Sequence, residues 1–246
     1  MNILITGASS GIGEHLAYEY AKQGHKLYLT GRHLERLNKV AKKVKALGGE
    51  AETFISNVCD KQQMEDIVHS IKHLDIVIAN AGISNGTLSK NGISHERTRE
   101  ILDTNIWGVV NTIYPAIEKM KKQKSGQIVI VSSMAGFKGL GGSSHAYCAS
   151  KACVRVLGES LHLDLINYGI KVNVVCPGWI KSSLTDKNDY TMPLLMETDK
   201  ACKIIISQLE KNKTIIKFPL RIYWVVRILE FLPMKAASWI LGKLNN

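Results

Sequence analysis

Short apolar runs rich in β-branched residues alternate with stretches of helical periodicity along nearly the whole chain. Runs that are apolar at successive positions suit strands buried on both faces, and strands separated by amphipathic helices suit a parallel sheet covered on each side. The pattern predicts strands at residues 3–5, 26–30, 51–55, 75–79, 127–131, 171–175 and 214–217. Between them it predicts helices at 11–23, 34–47, 62–72, 96–121, 145–167 and 198–211. No low-complexity linker and no repeat interrupts the alternation. Residues 1–246 are therefore expected to form a single α/β domain, a doubly wound parallel sheet of about seven strands with helices on both faces.

Two stretches depart from the pattern. Residues 179–197 lack clear periodicity and read as a lid over a substrate pocket. Residues 218–244 carry Trp224, Phe231 and Trp239 among Ile, Val and Leu, and Pro219 and Pro233 divide them into two short helices. Arg221, Arg227 and Glu230 interrupt the apolar run, which is too short and too charged for a membrane span. Three readings of this tail stay open: a cover over an apolar pocket or core, a contact between copies of the chain, and an amphipathic helix lying on a membrane surface.

With 246 residues, 45% of them hydrophobic and 22% charged, the chain suits one large core better than two small ones. The first apolar run starts at Ile3, which leaves no room for a leader or anchor ahead of it, so a cytoplasmic location is expected, membrane-peripheral if the tail lies on lipid. Cys59, Cys148, Cys153, Cys176 and Cys202 are odd in number and form no Cys-x-x-Cys pair, and are read as reduced thiols. His69 and His73 stand four apart without a third ligand motif, and no metal is expected. The formal net charge of +11 suits phosphorylated ligands, anionic membrane or nucleic acid. The local run Lys39, Lys42, Lys43 and Lys45 has no interleaved aromatics and reads as a solvated helix face, so nucleic-acid binding is not expected.

The chemistry-bearing residues gather where an open parallel sheet binds its ligands, beyond the carboxyl ends of the strands. Tyr147 and Lys151 lie one helical turn apart, which stacks a phenol and an ammonium on one helix face. A fixed positive charge favours the phenolate and brings its pKa down towards neutrality, where a phenol can exchange a proton with an alcohol oxygen. At the other end of the chain an apolar run enters Thr6-Gly7-Ala8-Ser9-Ser10-Gly11-Ile12-Gly13 and continues into a helix. A strand, glycine turn and helix in this order let backbone N–H groups and the positive helix end approach a pyrophosphate, where side chains at Gly7, Gly11 or Gly13 would intrude. Asn80-Ala81-Gly82, Ser132-Ser133 and Cys176-Pro177-Gly178 follow the fourth, fifth and sixth predicted strands.

Taken in order, Thr6-Gly7-x-x-x-Gly11-x-Gly13, Asn80-Ala81-Gly82, Asn105, Ser133, Tyr147-x-x-x-Lys151 and Pro177-Gly178 resemble the short-chain dehydrogenase/reductase family over nearly the whole chain. The resemblance implies a Rossmann-type fold, a nicotinamide dinucleotide, homodimers or homotetramers, and reversible reduction of a small or lipophilic carbonyl to an alcohol. It implies Tyr147 as general acid/base, Lys151 lowering its pKa and holding the nicotinamide ribose, and Ser133 bonding the substrate oxygen. It implies that Asn105 positions a water feeding protons to Lys151. The cofactor would be held by Thr6, Gly7, Ser9, Ser10, Gly11, Ile12, Gly13, Asn80, Ala81, Gly82, Tyr147, Lys151, Pro177 and Gly178, with Ile180 and Ser182 at the nicotinamide amide. Ser133 precedes Tyr147 by fourteen residues where the family commonly has thirteen, so an extra residue is expected in the loop 136–142, with Ser132 the fallback. Near the adenine the family's Asp-Val is replaced by Asn57-Val58. The second strand ends in Thr30-Gly31-Arg32 with no acid to pair with ribose hydroxyls, and Arg32 is placed to grip a 2′-phosphate, which predicts NADP(H) over NAD(H). The competing function class is a cofactor-binding redox sensor or membrane-peripheral scaffold with little turnover.

Overall fold

The computed structural model describes residues 1–84, 94–139, 145–186, 192 and 194–244. Seven strands, β1 (Asn2–Ile5), β2 (Lys26–Gly31), β3 (Glu50–Ile55), β4 (Ile76–Ala79), β5 (Gly126–Val131), β6 (Ile170–Pro177) and β7 (Ile215–Phe218), form one sheet in the order β3-β2-β1-β4-β5-β6-β7. Every pairing is parallel. The helices are α1 (Gly11–Ala21), α2 (Leu34–Ala46), α3 (Lys61–Ser70), α4 (His95–Leu102), α5 (Gly108–Gln123), α6 (His145–Leu165), α7 (Thr198–Glu210), α8 (Leu220–Phe231) and α9 (Met234–Leu244).

Alternation along each strand divides the apolar residues between two cores. Ile3, Ile5, Leu27, Leu29, Ile78 and Val129 meet Leu16 of α1, Leu37 and Val40 of α2, and Ile205 of α7. Leu4, Val77, Ile128, Ile130 and Val172 face the other way, onto Met64 of α3, Ile113 and Met120 of α5, and Val154 of α6. Because both neighbours of a strand residue are buried, the strands read as continuous apolar runs. Each fully buried Leu or Ile contributes about 1.5–3 kcal/mol.

The predicted elements are all present, with shifted ends. The seventh strand runs one residue later, to Phe218, which pairs with Pro177 and so belongs to the sheet rather than to the tail. The third helix stops at Ser70 because Ile71 turns to extended backbone. The long helix expected over 96–121 is α4 joined to α5 through a π-helical turn, Asp103–Trp107. The strand order reverses direction at β1, which pairs with β2 on one side and β4 on the other, and this opens a crevice at the carboxyl edge.

Candidate active site

The turn after β1 is built from glycines that the geometry requires. Gly7 and Gly11 have φ of +65° and +59°, a region that favours glycine. A Cβ on Gly7 would lie 2.8 Å from Ala81 Cα, and one on Gly13 would lie 2.6 Å from Gly7 O. Thr6 is buried, and its hydroxyl accepts from the backbone N–H of Asn80 (3.1 Å) and Ala81 (3.2 Å). Asn80 Nδ2 donates to Thr6 O (2.9 Å) and Gly7 O (3.2 Å). Thr6, Asn80 and Ala81 thus brace the turn from behind. Ser10 is the N-cap of α1, its side chain making no bond to the helix, and Ser9, Ser10 and Ile12 are half-buried on the turn. A cradle too narrow for a side chain, opening on a helix N-terminus, fits a dinucleotide pyrophosphate.

Across the crevice, Lys151 of α6 is buried and donates from Nζ to Val131 O at the end of β5 (2.9 Å). Burial lowers its pKa from the ordinary lysine value to about 8. Cys176, at the end of β6, has its thiol pushed up to about 12 by burial, so it stays neutral and supplies no anion. Among the described residues no carboxylate pairs with Lys151. The ammonium lies 5.7 Å from the centre of the half-buried Tyr147 ring. A Cβ on Gly82 would stand 3.3 Å from Lys151 Nζ and 3.2 Å from Asn105 Oδ1, so the bare backbone there lets three elements meet.

Asn105 sits fully buried in the π-helical turn. Its Oδ1 accepts from Ile83 N (2.8 Å), and its Nδ2 donates to Ile83 O (2.9 Å) and Ser150 Oγ (3.0 Å). Ser150 in turn donates to Tyr147 O (2.7 Å). The side chain therefore ties the strand β4 edge to the first turn of α6. The two serines after β5 differ. Ser132 Oγ is committed to Lys151 O (2.7 Å), whereas Ser133 Oγ reaches Pro177 O only at 3.5 Å and accepts from Ala135 N (3.2 Å). The glycine-rich loop expected at 136–142 falls partly outside the described residues.

At the other end of the crevice, a pocket of about 370 Å³ is lined by Arg32, Asn57, Cys59, Glu100, Asp103 and Trp107, among others. Arg32 is exposed and has no acidic partner within 4 Å among the described residues, while Glu100 is paired with Arg97 and Asp103 with Arg99. A Cβ on Gly31 would lie 3.3 Å from Ser9 Oγ, so a hydroxyl stands beside the place an acid would occupy. Asn57 Oδ1 accepts from Cys59 N (3.2 Å). Val58 is core: it packs on Gly108, and its carbonyl accepts from Asn111. The residues present fit a dinucleotide lying from this pocket to Tyr147.

The segment after β6 folds back over the glycine turn. Gly178 N donates to Phe218 O (2.8 Å), and buried Ile180 bridges to Met196. Ser182 Cβ would be 3.3 Å from a Cβ on Gly11, which places the start of the lid against the cradle. Residues 187–191 and 193 of the expected lid lie outside the described residues. Ile222 and Tyr223 of α8 pack with Met134, Phe137 and Trp179 directly beyond Ser133. The sequence offers the tail as a cover over an apolar pocket and places Cys176 after the sixth strand, whereas nothing in it marks Met134 and Phe137 as the tail's partners, or Ser150, whose partner Asn105 lies 45 residues away.

Comparison with known proteins agrees with this geometry. A family model described as short chain dehydrogenase matches residues 1–192. An uncharacterized oxidoreductase of Myxococcus xanthus is 36% identical over 234 residues, spanning 94% of this chain and 92% of its own. An 11-beta-hydroxysteroid dehydrogenase-like protein of Arabidopsis thaliana is 35% identical over 241 residues, 94% of this chain and 77% of its own. A short-chain dehydrogenase from Sphingobium yanoikuyae, solved in complex with NADPH, superposes with a TM-score of 0.82 at 25% identity, covering 98% of this chain and 95% of that one.

Proposed function

The chain belongs to the short-chain dehydrogenase family of oxidoreductases acting on carbonyl and alcohol groups, and from that premise we propose that it reduces a ketone or aldehyde with NADPH, with Tyr147 as general acid. The observation that carries this reading is the buried Lys151 ammonium, without a counter-anion among the described residues, held 5.7 Å from the Tyr147 ring beside the glycine cradle. An uncompensated cation favours the charged form of the phenol that proton transfer creates. Ser133 is the better-placed donor to the substrate oxygen, since Ser132 is bonded to Lys151 O. Asn105 positions the first turn of α6 through Ser150, so that Tyr147 and Lys151 keep their mutual orientation. The bound cofactor supplies the hydride. Preference for NADPH is supported by the guanidinium of Arg32, which has no acidic partner among the described residues, and by Ser9 Oγ beside Gly31, which together suit a 2′-phosphate. Residues 1–246 act as one domain in this reading, with 179–197 as the lid.

The test is consumption of NADPH and NADH over a panel of aldehydes, ketones, steroids and acyl ketones. Tyr147→Phe should lose about 10²–10⁴-fold in rate while still binding NADPH. Arg32→Asp should invert the cofactor preference. A Tyr147→Phe variant as active as wild type, or an unchanged cofactor ratio in Arg32→Asp, would defeat the respective assignment.

A further inference from the structure

The tail has two faces. Its inner face, Ile222 and Tyr223, is buried on Met134, Phe137 and Trp179 at the catalytic edge. Its outer face is not. Leu220, Trp224 and Ile228 follow one another at helical i, i+4 spacing, and Phe231 and Val225 widen the same stripe. Trp224 is 60% exposed, Phe231 78% and, across the turn at Pro233, Met234 70%. Trp239 on α9 is exposed as well. A stripe of this size is more than the scattered apolar residues of an ordinary surface.

Charge decides what could cover it. Arg221 and Lys235 are exposed beside the stripe, and the single acid on α8, Glu230, is bonded to Arg227. The face is therefore apolar with a net positive rim, on a chain of net charge +11. In a symmetric pair of copies the same patch meets itself, and Arg221 and Lys235 would face like charge. Anionic headgroups supply the missing sign, and aromatic rings with basic neighbours suit the boundary between headgroups and acyl chains. Among the described residues no helix is long and apolar enough to cross a membrane, so contact would be at the surface.

We propose that the outer face of α8 and α9 docks on an anionic lipid bilayer, and that the inner face roofs a path by which a lipophilic ketone dissolved in that bilayer reaches Ser133 and Tyr147. The second half rests on the reductase reading above; the first does not. The full chain should sediment with phosphatidylcholine vesicles containing phosphatidylserine and remain in the supernatant with phosphatidylcholine alone. Trp224→Ser/Phe231→Ser, both at exposed positions, should weaken vesicle binding at least about tenfold, and Arg221→Glu/Lys235→Glu should abolish binding to the phosphatidylserine vesicles. NADPH fluorescence on the same samples should be unchanged in both variants. Wild-type protein left in the supernatant with both vesicles overturns the proposal, as does a Trp224→Ser/Phe231→Ser variant that sediments like wild type. So does a wild type that is dimeric without binding lipid, made monomeric by the same pair of substitutions, since the face would then join copies of the chain. For delivery, wild type should reduce a long-chain methyl ketone loaded in vesicles and a short-chain one in solution. The Trp224→Ser/Phe231→Ser variant should lose about tenfold on the first only. Equal rates with wild type on the first, or equal losses on both, overturn delivery; reduction of neither ketone by wild type counts against the reductase reading and leaves the vesicle result standing.

Discussion

Lys151 keeps a positive charge in a buried place, and its proton is held less tightly than in an unfolded chain. With a folded-state pKa of about 8, lowered by burial from 10.5, the unfolded state binds more protons between those two values. The stability contributed by this group therefore rises with pH across that window, by on the order of 3 kcal/mol, and its cost is greatest below it. In the cofactor-free protein Lys151→Met should be more stable relative to wild type at about pH 7 than at about pH 10, measured as the difference between their urea midpoints. A difference that does not change with pH would show that water reaches the ammonium. Tyr147 and Lys151 were legible in the chain because helical spacing puts them on one face. The bond from Ser132 to Lys151 O was not, because a hydroxyl's partner nineteen residues away leaves no trace in local pattern. The same holds for Asn105, whose amide bridges Ile83 and Ser150 from within a π-helical turn, partners that no local pattern indicates.

At the scale of elements, α6 approaches the sheet closely enough that its residue at the point of contact has no side chain. A Cβ on Gly158 would lie 2.4 Å from Val174 Cγ2 and 3.2 Å from Ile130 Cδ1. Gly158→Ala should therefore overpack the contact and destabilise by about 1–3 kcal/mol, in spite of alanine's better helix propensity. A thermal unfolding scan that shows the variant unchanged or stabilised would mean that β6 yields more readily than a packed sheet should. Because α6 carries Tyr147 and Lys151, a shift there should also weaken NADPH binding. Helices were readable from a period of 3.6 and strands as short continuous apolar runs, since successive residues of each strand enter two different cores and both are buried. The π turn inside the 96–121 helix was not, because a single wider turn perturbs the period too little to register.

At the scale of the molecule, the glycine turn, the Tyr147 centre and the inner face of α8 belong to one edge of the sheet, and the elements behind them fill the two cores. The order of the predicted elements implied this edge. Which face of the tail would be covered was not implied, since its apolar residues surround α8 on more than one side, and only packing on Met134 and Phe137 separates Ile222 and Tyr223 from Trp224 and Phe231. The position of β1 has a further consequence. Of the seven strands it is made first, and in the finished sheet it is an interior strand flanked by β2 and β4. During synthesis β2 and β3 can zip onto one side of it early, while its other side must wait until residue 76 and beyond have emerged. For that interval the growing chain carries an open, apolar strand edge, the feature that invites pairing with another nascent chain. Slow translation between α2 and β4 would lengthen the exposure, so the efficiency of folding in the cell depends on how fast that stretch is made.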